Sequence, residues 1–199
     1  MHPNPKFRWQ DRDAMRDFVR AIGFGQLFAA TPDGPRVAQV PVVFESDDVL
    51  AFHIARGNGI ARHLDGATGL FSVLGPDGYV SPDWYGLGPD EVPTWNYVAV
   101  ELEGHVTRMS RDELLVQIDA LSHANETPLA PKPEWRRDKA DPAKIDKMLD
   151  AIIGFRLRVT AWRGTTKLGQ NKPEAARLAA ADALEAQGRR AIAHWMREA

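Results

Sequence analysis

The segment at residues 92–104, VPTWNYVAVELEG, restricts the fold more than any other stretch, because large aliphatic residues recur at every second position after the asparagine. Apolar side chains recur at Val98, Val100 and Leu102, and the positions facing the other way are Ala99, Glu101 and Glu103. A period of two is typical of an extended strand that buries one face. The segment therefore predicts a half-buried β-strand. Trp95 and Tyr97 would share one face at its start and Asn96 the other.

Six other stretches have the composition of short strands bounded by turn residues. They lie at residues 26–30, 36–45, 49–55, 68–75, 78–82 and 154–168. In the last of these, Phe155, Leu157 and Val159 alternate inward. The run Pro76-Asp77-Gly78 predicts a turn between the fourth and fifth stretches.

Helical spacing of apolar residues occurs at residues 11–21, 110–124 and 142–152, and the chain from residue 173 onward is rich in Ala and Glu. Ser110 and Glu113 form a capping box at the start of the second helix. Short antiparallel strands with helices at their edges predict a mainly β fold of the α+β class, a small β-barrel with peripheral helices. We expect a single domain over residues 1–199, with a C-terminal helical extension at about residues 173–199.

Composition and motifs exclude several functional classes. The 25 Lys and Arg residues against 27 Asp and Glu residues are not the balance of a basic nucleic-acid-binding protein. The absence of cysteine excludes disulfides, thiol catalysis and cysteine-ligated metals. The histidines lack zinc-binding spacings, and neither a nucleophile elbow nor a phosphate-loop motif is present, so we predict no catalytic residue and no metal site. Without a signal-peptide pattern or an apolar run of membrane-spanning length, we expect a cytoplasmic protein.

Residues 52–64, FHIARGNGIARHL, contain the features of a phosphate site. A strand would end near Ala55, and Asn58 would be the N-cap of a short helix between two glycines. Free backbone N–H groups, a helix N-terminus and the Arg56 guanidinium are what a phosphate dianion requires. The alternative is that Asn58 only caps the helix and Arg56 is a solvated charge. This stretch by itself favours that alternative.

Residues 79–86, YVSPDWYG, carry more aromatic side chains than a turn needs. Pro82 disfavours a central strand, so Trp84 and Tyr85 would lie near the surface. Large rings there either pack under a loop or bury at an interface with a polar tip still hydrogen-bonded. The segment does not favour one of these interpretations over the other.

Residues 167–178, KLGQNKPEAARL, begin the last helix. Asn171 with Glu174 forms an Asn-type capping box, which explains those two residues. It leaves Lys167, Gln170 and Lys172 unexplained. Two cations near a helix start could help to hold an anion.

Five motifs together resemble one family. They are HIARGN, YVSPDWY, PTWNY, IIGF and KLGQNK. In this order and approximate spacing, the chain resembles the PaiB-type FMN-binding negative transcriptional regulators over nearly its whole length, to about Arg177. The combination of YVSPDWY with PTWNY is the most specific part of the resemblance.

The resemblance implies a flavin-reductase-like split β-barrel that forms a homodimer and binds FMN at the subunit interface. It implies that Arg56 and Asn58 contact the phosphate. The residues that would lie near the isoalloxazine are Gln39, Val40, Pro41 and His53. The residues that would approach the cofactor or close the interface from the partner chain are Trp95, Asn96 and Tyr97. The further residues carried over as FMN contacts are Lys167, Gln170, Asn171 and Lys172.

Two glycines depart from the family pattern. Gly169 stands where a serine is usual in KLSQN, so one hydroxyl contact would be missing. Gly59 replaces the proline often found after the asparagine, so the phosphate-side turn would be less rigid. Both departures predict weaker FMN binding and leave the barrel unaffected.

Three functions stay open. The resemblance implies an FMN-binding transcriptional repressor, which would have DNA as a partner. The same fold also hosts FMN-dependent oxidoreductases and flavin reductases, and the two glycines leave room for a cofactor-free dimeric binding protein. Basic residues that a DNA contact could use are Arg136, Arg137 and Lys139 in a Pro-rich loop and Arg189, Arg190 and Arg197 near the C-terminus. Such runs are usually solvated, and no helix-turn-helix pattern accompanies them.

Overall fold

The computed structural model describes residues 2–199, and a seven-stranded antiparallel sheet forms much of it. Its strands are β1 (Arg8–Trp9), β2 (Phe24–Thr31), β3 (Gly34–Ser46), β4 (Val49–Ala55), β5 (Thr68–Val80), β6 (Thr94–Arg108) and β7 (Ile152–Lys167). The order in the sheet is β1-β7-β4-β3-β2-β5-β6, and β6 also pairs with β7. The predicted mainly β fold is confirmed.

Five α-helices accompany the sheet within the described residues. They are α1 (Arg12–Ile22), α2 (Arg111–Glu126), α3 (Pro142–Asp150), α4 (Glu174–Ala186) and α5 (Arg190–Arg197). The capping box at the start of α2 is confirmed, because the Ser110 N–H donates to Glu113 Oε2 at 2.7 Å and the Glu113 N–H donates to Ser110 Oγ at 3.3 Å. No helix of residues 2–199 has the length and apolar character that crossing a membrane requires.

One compact unit, here called the barrel unit, comprises residues 16–73 and 101–162. Within it, β4 pairs with β3 and β7, and β2 pairs with β3 and β5. The β6 strand closes the ring, because Val106 exchanges backbone hydrogen bonds with residues 66 and 67, just before β5. On its other side Gly104 lies against β7, where a Cβ would be 2.0 Å from the Arg158 carbonyl oxygen. Glycine is therefore required for this close approach.

The second compact unit, here called the helical unit, comprises residues 2–15, 74–100 and 163–199. Its helices α4 and α5 pack through the buried Leu184, Ile192 and Met196. The Arg177 guanidinium, on α4, donates to the Met196 carbonyl near the end of α5. This bond satisfies one of the carbonyl groups that a helix C-terminus leaves open, so it fixes the end of α5.

The β5 strand contradicts one expectation. It runs without a turn from Thr68 to Val80, so the turn predicted at residues 76–78 is wrong. Gly78 is buried, and a Cβ there would lie 3.0 Å from a Leu184 methyl carbon and 3.2 Å from an Ile192 methyl carbon. Gly78 lets the strand approach α4 and α5 closely, a tertiary role that the local sequence does not distinguish from a turn.

Candidate functional site

Arg56 ties the end of β4 to the end of α3 and the start of β7. Its backbone N–H donates to the Ala151 carbonyl at 2.8 Å. Its side chain donates from Nε to the Asp150 carbonyl at 2.9 Å and from Nη2 to the Ile152 carbonyl at 3.3 Å. The guanidinium is thus oriented by carbonyl groups at a helix C-terminus, where a cation is favoured. Within residues 2–199 it forms no ion pair, so its charge is not neutralised.

The turn after β4 offers backbone donors beside Arg56. Across the described chain, the N–H groups of Gly57 and Gly59 have no hydrogen-bond partner. Asn58 Oδ1 accepts the N–H of Ile60 at 3.1 Å. The 3₁₀ helix that follows, Ala61–His63, has Ile60 as its N-cap, so the prediction that Asn58 is the N-cap is wrong. The Asn58 side chain instead stabilises the turn that precedes this helix.

His53 is held from α2. Its Nδ1 lies 3.0 Å from Oε1 of Gln117, which is only 1% exposed. The Nε2 atom of Gln117 is buried and has no hydrogen-bond partner within residues 2–199. The sequence interpretation missed Gln117, although it follows Leu114 by three positions and so falls on the same buried helical face.

The β3 residues predicted to lie near the isoalloxazine divide between two faces of the strand. Gln39 is exposed and Pro41 is half-buried, whereas Val40 points into the core. The Val40 side chain is therefore closed to a ligand, while those of Gln39 and Pro41 share the outer face. In the β2–β3 register, Gln39 is opposite Gln26 and Pro41 is opposite Phe24.

The outer face of β2 and β3 is also apolar. Phe24, Phe28 and Val37 each leave at least 38% of their surface exposed. Phe28 lies opposite Val37 on β3 and opposite Leu70 on β5, so the exposed side chains are neighbours. An apolar patch of this kind is typical of an interaction surface.

In the helical unit, the start of β6 has the alternation that the sequence predicts. Trp95 is 53% exposed, and its ring meets the Tyr79 ring edge to face with 6.2 Å between centroids. Asn96 is 1% exposed and donates from Nδ2 to the Met196 sulfur at 3.3 Å. The Asn96 side chain therefore belongs to the core of this unit, and Trp95 and Tyr97 are the residues that face outward.

Lys167 lies beside this exposed indole. Its Nζ donates to the Thr94 hydroxyl and, at 2.8 Å, to the Trp95 carbonyl. Burial disfavours the charged form of Lys167 and so lowers its pKa below its usual value, and no carboxylate among residues 2–199 pairs with it. The result is a partly buried ammonium group without a counter-ion.

Two polar side chains of the loop after β7, those of Gln170 and Lys172, bond to other residues of the helical unit. Gln170 Oε1 accepts the Leu168 N–H at 2.8 Å, and its Nε2 donates to the Thr166 carbonyl at 2.6 Å. Lys172 forms an ion pair with Glu91. Both side chains are therefore engaged within the helical unit.

Asn171 is not the N-cap of α4 that the sequence predicted it to be. The α4 helix begins at Glu174 with Pro173 as its N-cap, and no side chain bonds to this helix start. Glu174 is thus the first helical residue, and it would have to be the third for a capping box with Asn171. The predicted Asn171–Glu174 capping box is wrong, and Asn171 is exposed.

Ion pairs neutralise several basic residues that the sequence offered for DNA binding. The pairs are Arg136–Glu134 at 3.7 Å, Arg137–Asp119 at 2.8 Å and Arg197–Asp182 at 2.7 Å. A guanidinium already paired with a carboxylate contributes less to phosphate neutralisation. The charge available for a nucleic-acid surface is therefore smaller than the sequence suggests.

The sequence matches a family model and a curated relative. A family model described as "Putative FMN-binding domain" matches residues 1–161. "Protease synthase and sporulation protein PAI 2" of Bacillus subtilis is 27% identical over 172 residues, which are 84% of this chain and 81% of that protein.

Solved structures extend the comparison to the fold. An FAD and heme binding protein from Mycobacterium smegmatis aligns with a TM-score of 0.61 at 19% identity, over 80% of this chain and 73% of that one. The flavocytochrome Anf3 from Azotobacter vinelandii aligns with a TM-score of 0.59 at 14% identity, over 83% and 72%. These similarities bear on the fold alone, and they confirm the predicted split-barrel class.

Proposed function

This chain belongs to the FMN-binding domain family, and on that premise we propose that it is a homodimeric flavoprotein that binds the FMN phosphate at the turn after β4. The observation that carries the proposal is the guanidinium of Arg56, fixed by backbone carbonyls beside the unpaired N–H groups of Gly57 and Gly59. A fixed cation and free backbone donors are the groups that phosphate recognition uses.

Asn58 adds a third kind of donor to this turn. Its Oδ1 already accepts the Ile60 N–H, so its Nδ2 is the atom left for a phosphate oxygen. The two bonds from Arg56 leave Nη1 free for the same purpose. These donors fit a phosphate group and would give FMN an advantage over riboflavin, which lacks it.

The outer face of the barrel unit suits the ring of the cofactor. When bound, FMN supplies an isoalloxazine that can accept and return electrons. Gln39 would offer an amide to the polar edge of the ring, Pro41 an apolar contact, and Val40 would support the strand from inside. Because Gln117 Oε1 accepts a hydrogen bond from the Nδ1–H of His53, the imidazole would present Nε2 as an acceptor.

A second copy of the chain would complete the site. The exposed apolar face at Phe24, Phe28 and Val37 supports a dimer, since such a surface is stabilised by burial. In an isologous dimer the same segment of each chain serves two equivalent sites. Trp95 and Tyr97 of the second copy would then add aromatic surface around the cofactor.

Lys167 and the loop after it would act from the same side as Trp95. The ammonium group of Lys167 would place a positive charge near the ring. Gln170 and Lys172 already have partners, so Asn171 is the loop residue available for a contact, and Asn96 would hold the strand from the core.

Transcriptional repression is the role we propose for this flavoprotein. The proposal rests on the resemblance to PaiB-type regulators and on the relative named "Protease synthase and sporulation protein PAI 2". The ion pairs of Arg136, Arg137 and Arg197 favour a second candidate, an FMN-dependent oxidoreductase that does not contact DNA. Binding to upstream DNA that weakens steeply with salt would support repression, and bleaching of bound FMN by NADH or NADPH would support the oxidoreductase.

Linkage between FMN binding and assembly tests the proposed dimeric site. Any ligand that binds only the dimer must strengthen it, by thermodynamic reciprocity. FMN titration followed by absorbance, thermal unfolding and sedimentation should therefore show tighter dimerisation with FMN, and Trp95→Ala should weaken both together. FMN that binds normally to a monomer at micromolar concentration would contradict the shared site.

A further inference from the structure

A cavity of about 670 Å³ lies in the barrel unit between α2 and α3. Leu115 lines it from α2, Ile145 and Leu149 line it from α3, and the Pro-rich loop contributes Trp135. None of the residues proposed to contact FMN lines it. Its volume falls in the range of about 300–1,000 Å³ that is typical of small-molecule sites.

The walls of the cavity combine an exposed aromatic ring with one carboxylate that forms no ion pair within residues 2–199. Trp135 is 40% exposed, and its backbone is fixed by an N–H that donates to Glu126 Oε2 at 2.8 Å. Four carboxylates and two guanidinium groups line the cavity, namely Asp119, Glu134, Asp138 and Asp146 against Arg136 and Arg137. Three of these carboxylates form ion pairs, Asp119 with Arg137, Glu134 with Arg136 and Asp146 with Arg111. Asp138 has no hydrogen-bond or ion-pair partner within residues 2–199. An apolar floor, a tryptophan face and a carboxylate without an ion-pair partner are what an organic cation requires.

The same two helices hold two residues of the proposed FMN site. Gln117, on α2, bonds to His53, and the carbonyl of Asp150, the last residue of α3, accepts from Arg56. A ligand that changes the spacing of α2 and α3 therefore acts on both residues. The hydrogen bonds of Gln117 to His53 and of Arg56 to Asp150 therefore connect the helices that line the cavity with the proposed FMN site.

We propose that this cavity binds a small organic cation with an apolar body, such as a protonated amine, and that its occupancy changes the affinity of the protein for FMN. The first part stands on the cavity alone. The second part rests on the proposed FMN site.

Binding is tested with phenylbutylammonium as the probe. Phenylbutanol and phenylpentanoate serve as neutral and anionic controls of similar shape. Proton–nitrogen NMR of the full chain, with the Trp135 indole signal assigned by its loss in Trp135→Phe, should show a saturable shift with the ammonium. The alcohol should bind roughly three- to tenfold more weakly, because it lacks the charge. No saturable shift, or equal affinity for ammonium and carboxylate, overturns the site.

Asp138→Asn separates charge recognition from simple filling of the cavity. Asp138 is exposed and unpartnered among the described residues, so its replacement leaves the fold intact, and the preference for ammonium over alcohol should fall. Asp90→Asn, the same charge change in the helical unit, should leave that preference unchanged. A preference that both variants retain overturns the proposed chemistry.

The link to the cofactor is tested by FMN titration with and without saturating phenylbutylammonium. An allosteric link of ordinary size changes FMN affinity about fivefold or more, and Gln117→Leu, which removes the bond to His53, should reduce that change. FMN affinity that the probe leaves unaltered overturns the link. A chain that binds the probe but no FMN contradicts the proposed function and leaves the cation site standing.

Discussion

The Nδ1 atom of His53 lies 3.0 Å from Oε1 of the buried Gln117. A carboxamide oxygen can only accept a hydrogen bond, so this contact assigns the proton of the neutral imidazole to Nδ1. The Nε2 atom of His53 is left as an acceptor for a ligand. Gln117 thus determines which nitrogen of His53 carries the proton. In the same arrangement the Nε2 atom of Gln117 is buried without a hydrogen-bond partner within residues 2–199.

Without Gln117, the neutral imidazole of His53 should no longer be restricted to one tautomer. In the wild type, nitrogen NMR of the neutral ring should give a protonated Nδ1 and an unprotonated Nε2. In Gln117→Leu both tautomers should be populated, while the exposed His105 serves as an internal control that does not change. A single Nδ1-protonated tautomer that survives in the variant would show that Gln117 does not determine it.

Serine in place of Gly169, the residue that the resemblance to PaiB-type regulators implies, should destabilise this chain. Gly169 has φ of +87°, which disfavours any side chain, whereas a Cβ there would make only an ordinary contact, 3.6 Å from Arg177 Cγ. Gly169→Ser should lower the free energy of unfolding by about 1–3 kcal/mol. Gly59→Ser, at a position with open space and no positive φ, should change it by less than about 0.5 kcal/mol. Urea denaturation measures the free energy of unfolding of both variants. Equal values would show that the positive φ of Gly169 does not disfavour a side chain there.

Glu113 should make the stability of the protein depend on pH. The Ser110 N–H and the Arg156 guanidinium hold the pKa of Glu113 at about 2, below its ordinary value of 4.5. Its contribution is therefore present above the unfolded value and is lost as pH falls through about 2.

The comparison of wild type with Glu113→Gln measures this contribution. The wild type should be more stable near neutral pH, and the difference should disappear as the solution is acidified toward pH 2. Glu198→Gln, at the exposed C-terminus, should show no such dependence. A difference that stays constant with pH would mean that the carboxylate charge is not responsible.

The sequence predicts those features that depend on neighbouring residues. The alternation of Val98, Val100 and Leu102 identifies the buried face of β6, because a strand has the same period wherever it lies. The Ser110–Glu113 capping box is equally local. Both are confirmed in the structure.

Features that depend on distant residues could not be predicted in this way. Gly78 resembles a turn glycine, and only the approach of Leu184 and Ile192 explains it. Judged by its neighbours in the sequence, Gln117 resembles a solvent-exposed helix residue. Only its contact with His53, on another element, explains why its side chain is buried. The cavity between α2 and α3 likewise needs both helices in place, although each helix was recognised from its own pattern.

The apolar outer face of β2 and β3 should be a dimer contact. Phe28→Glu places a charge in this face and should weaken dimerisation at least roughly tenfold, as expected for a buried aromatic side chain at an interface. Val116→Glu introduces the same charge on an exposed position of α2 and should leave the dimer intact. Sedimentation measures both variants, and a Phe28→Glu dimer as tight as the wild type would require a different interface.

Arg56 and Arg62 provide the matched pair for the phosphate site. Arg56 forms no ion pair within residues 2–199, whereas Arg62, on the following 3₁₀ helix, lies 3.9 Å from Asp33. Only Arg56 has its guanidinium fixed by backbone carbonyls at the turn after β4. Arg62→Met should therefore bind FMN as the wild type does.

Titration of the wild type and Arg56→Met with FMN and with riboflavin tests the proposed site most directly. A charge-assisted hydrogen bond is worth about 1.5–3 kcal/mol, so Arg56→Met should bind FMN roughly ten- to a hundredfold more weakly while its affinity for riboflavin is unchanged. A wild type that binds FMN and riboflavin equally, or an Arg56→Met variant that loses both alike, would contradict the assignment of the phosphate to this turn.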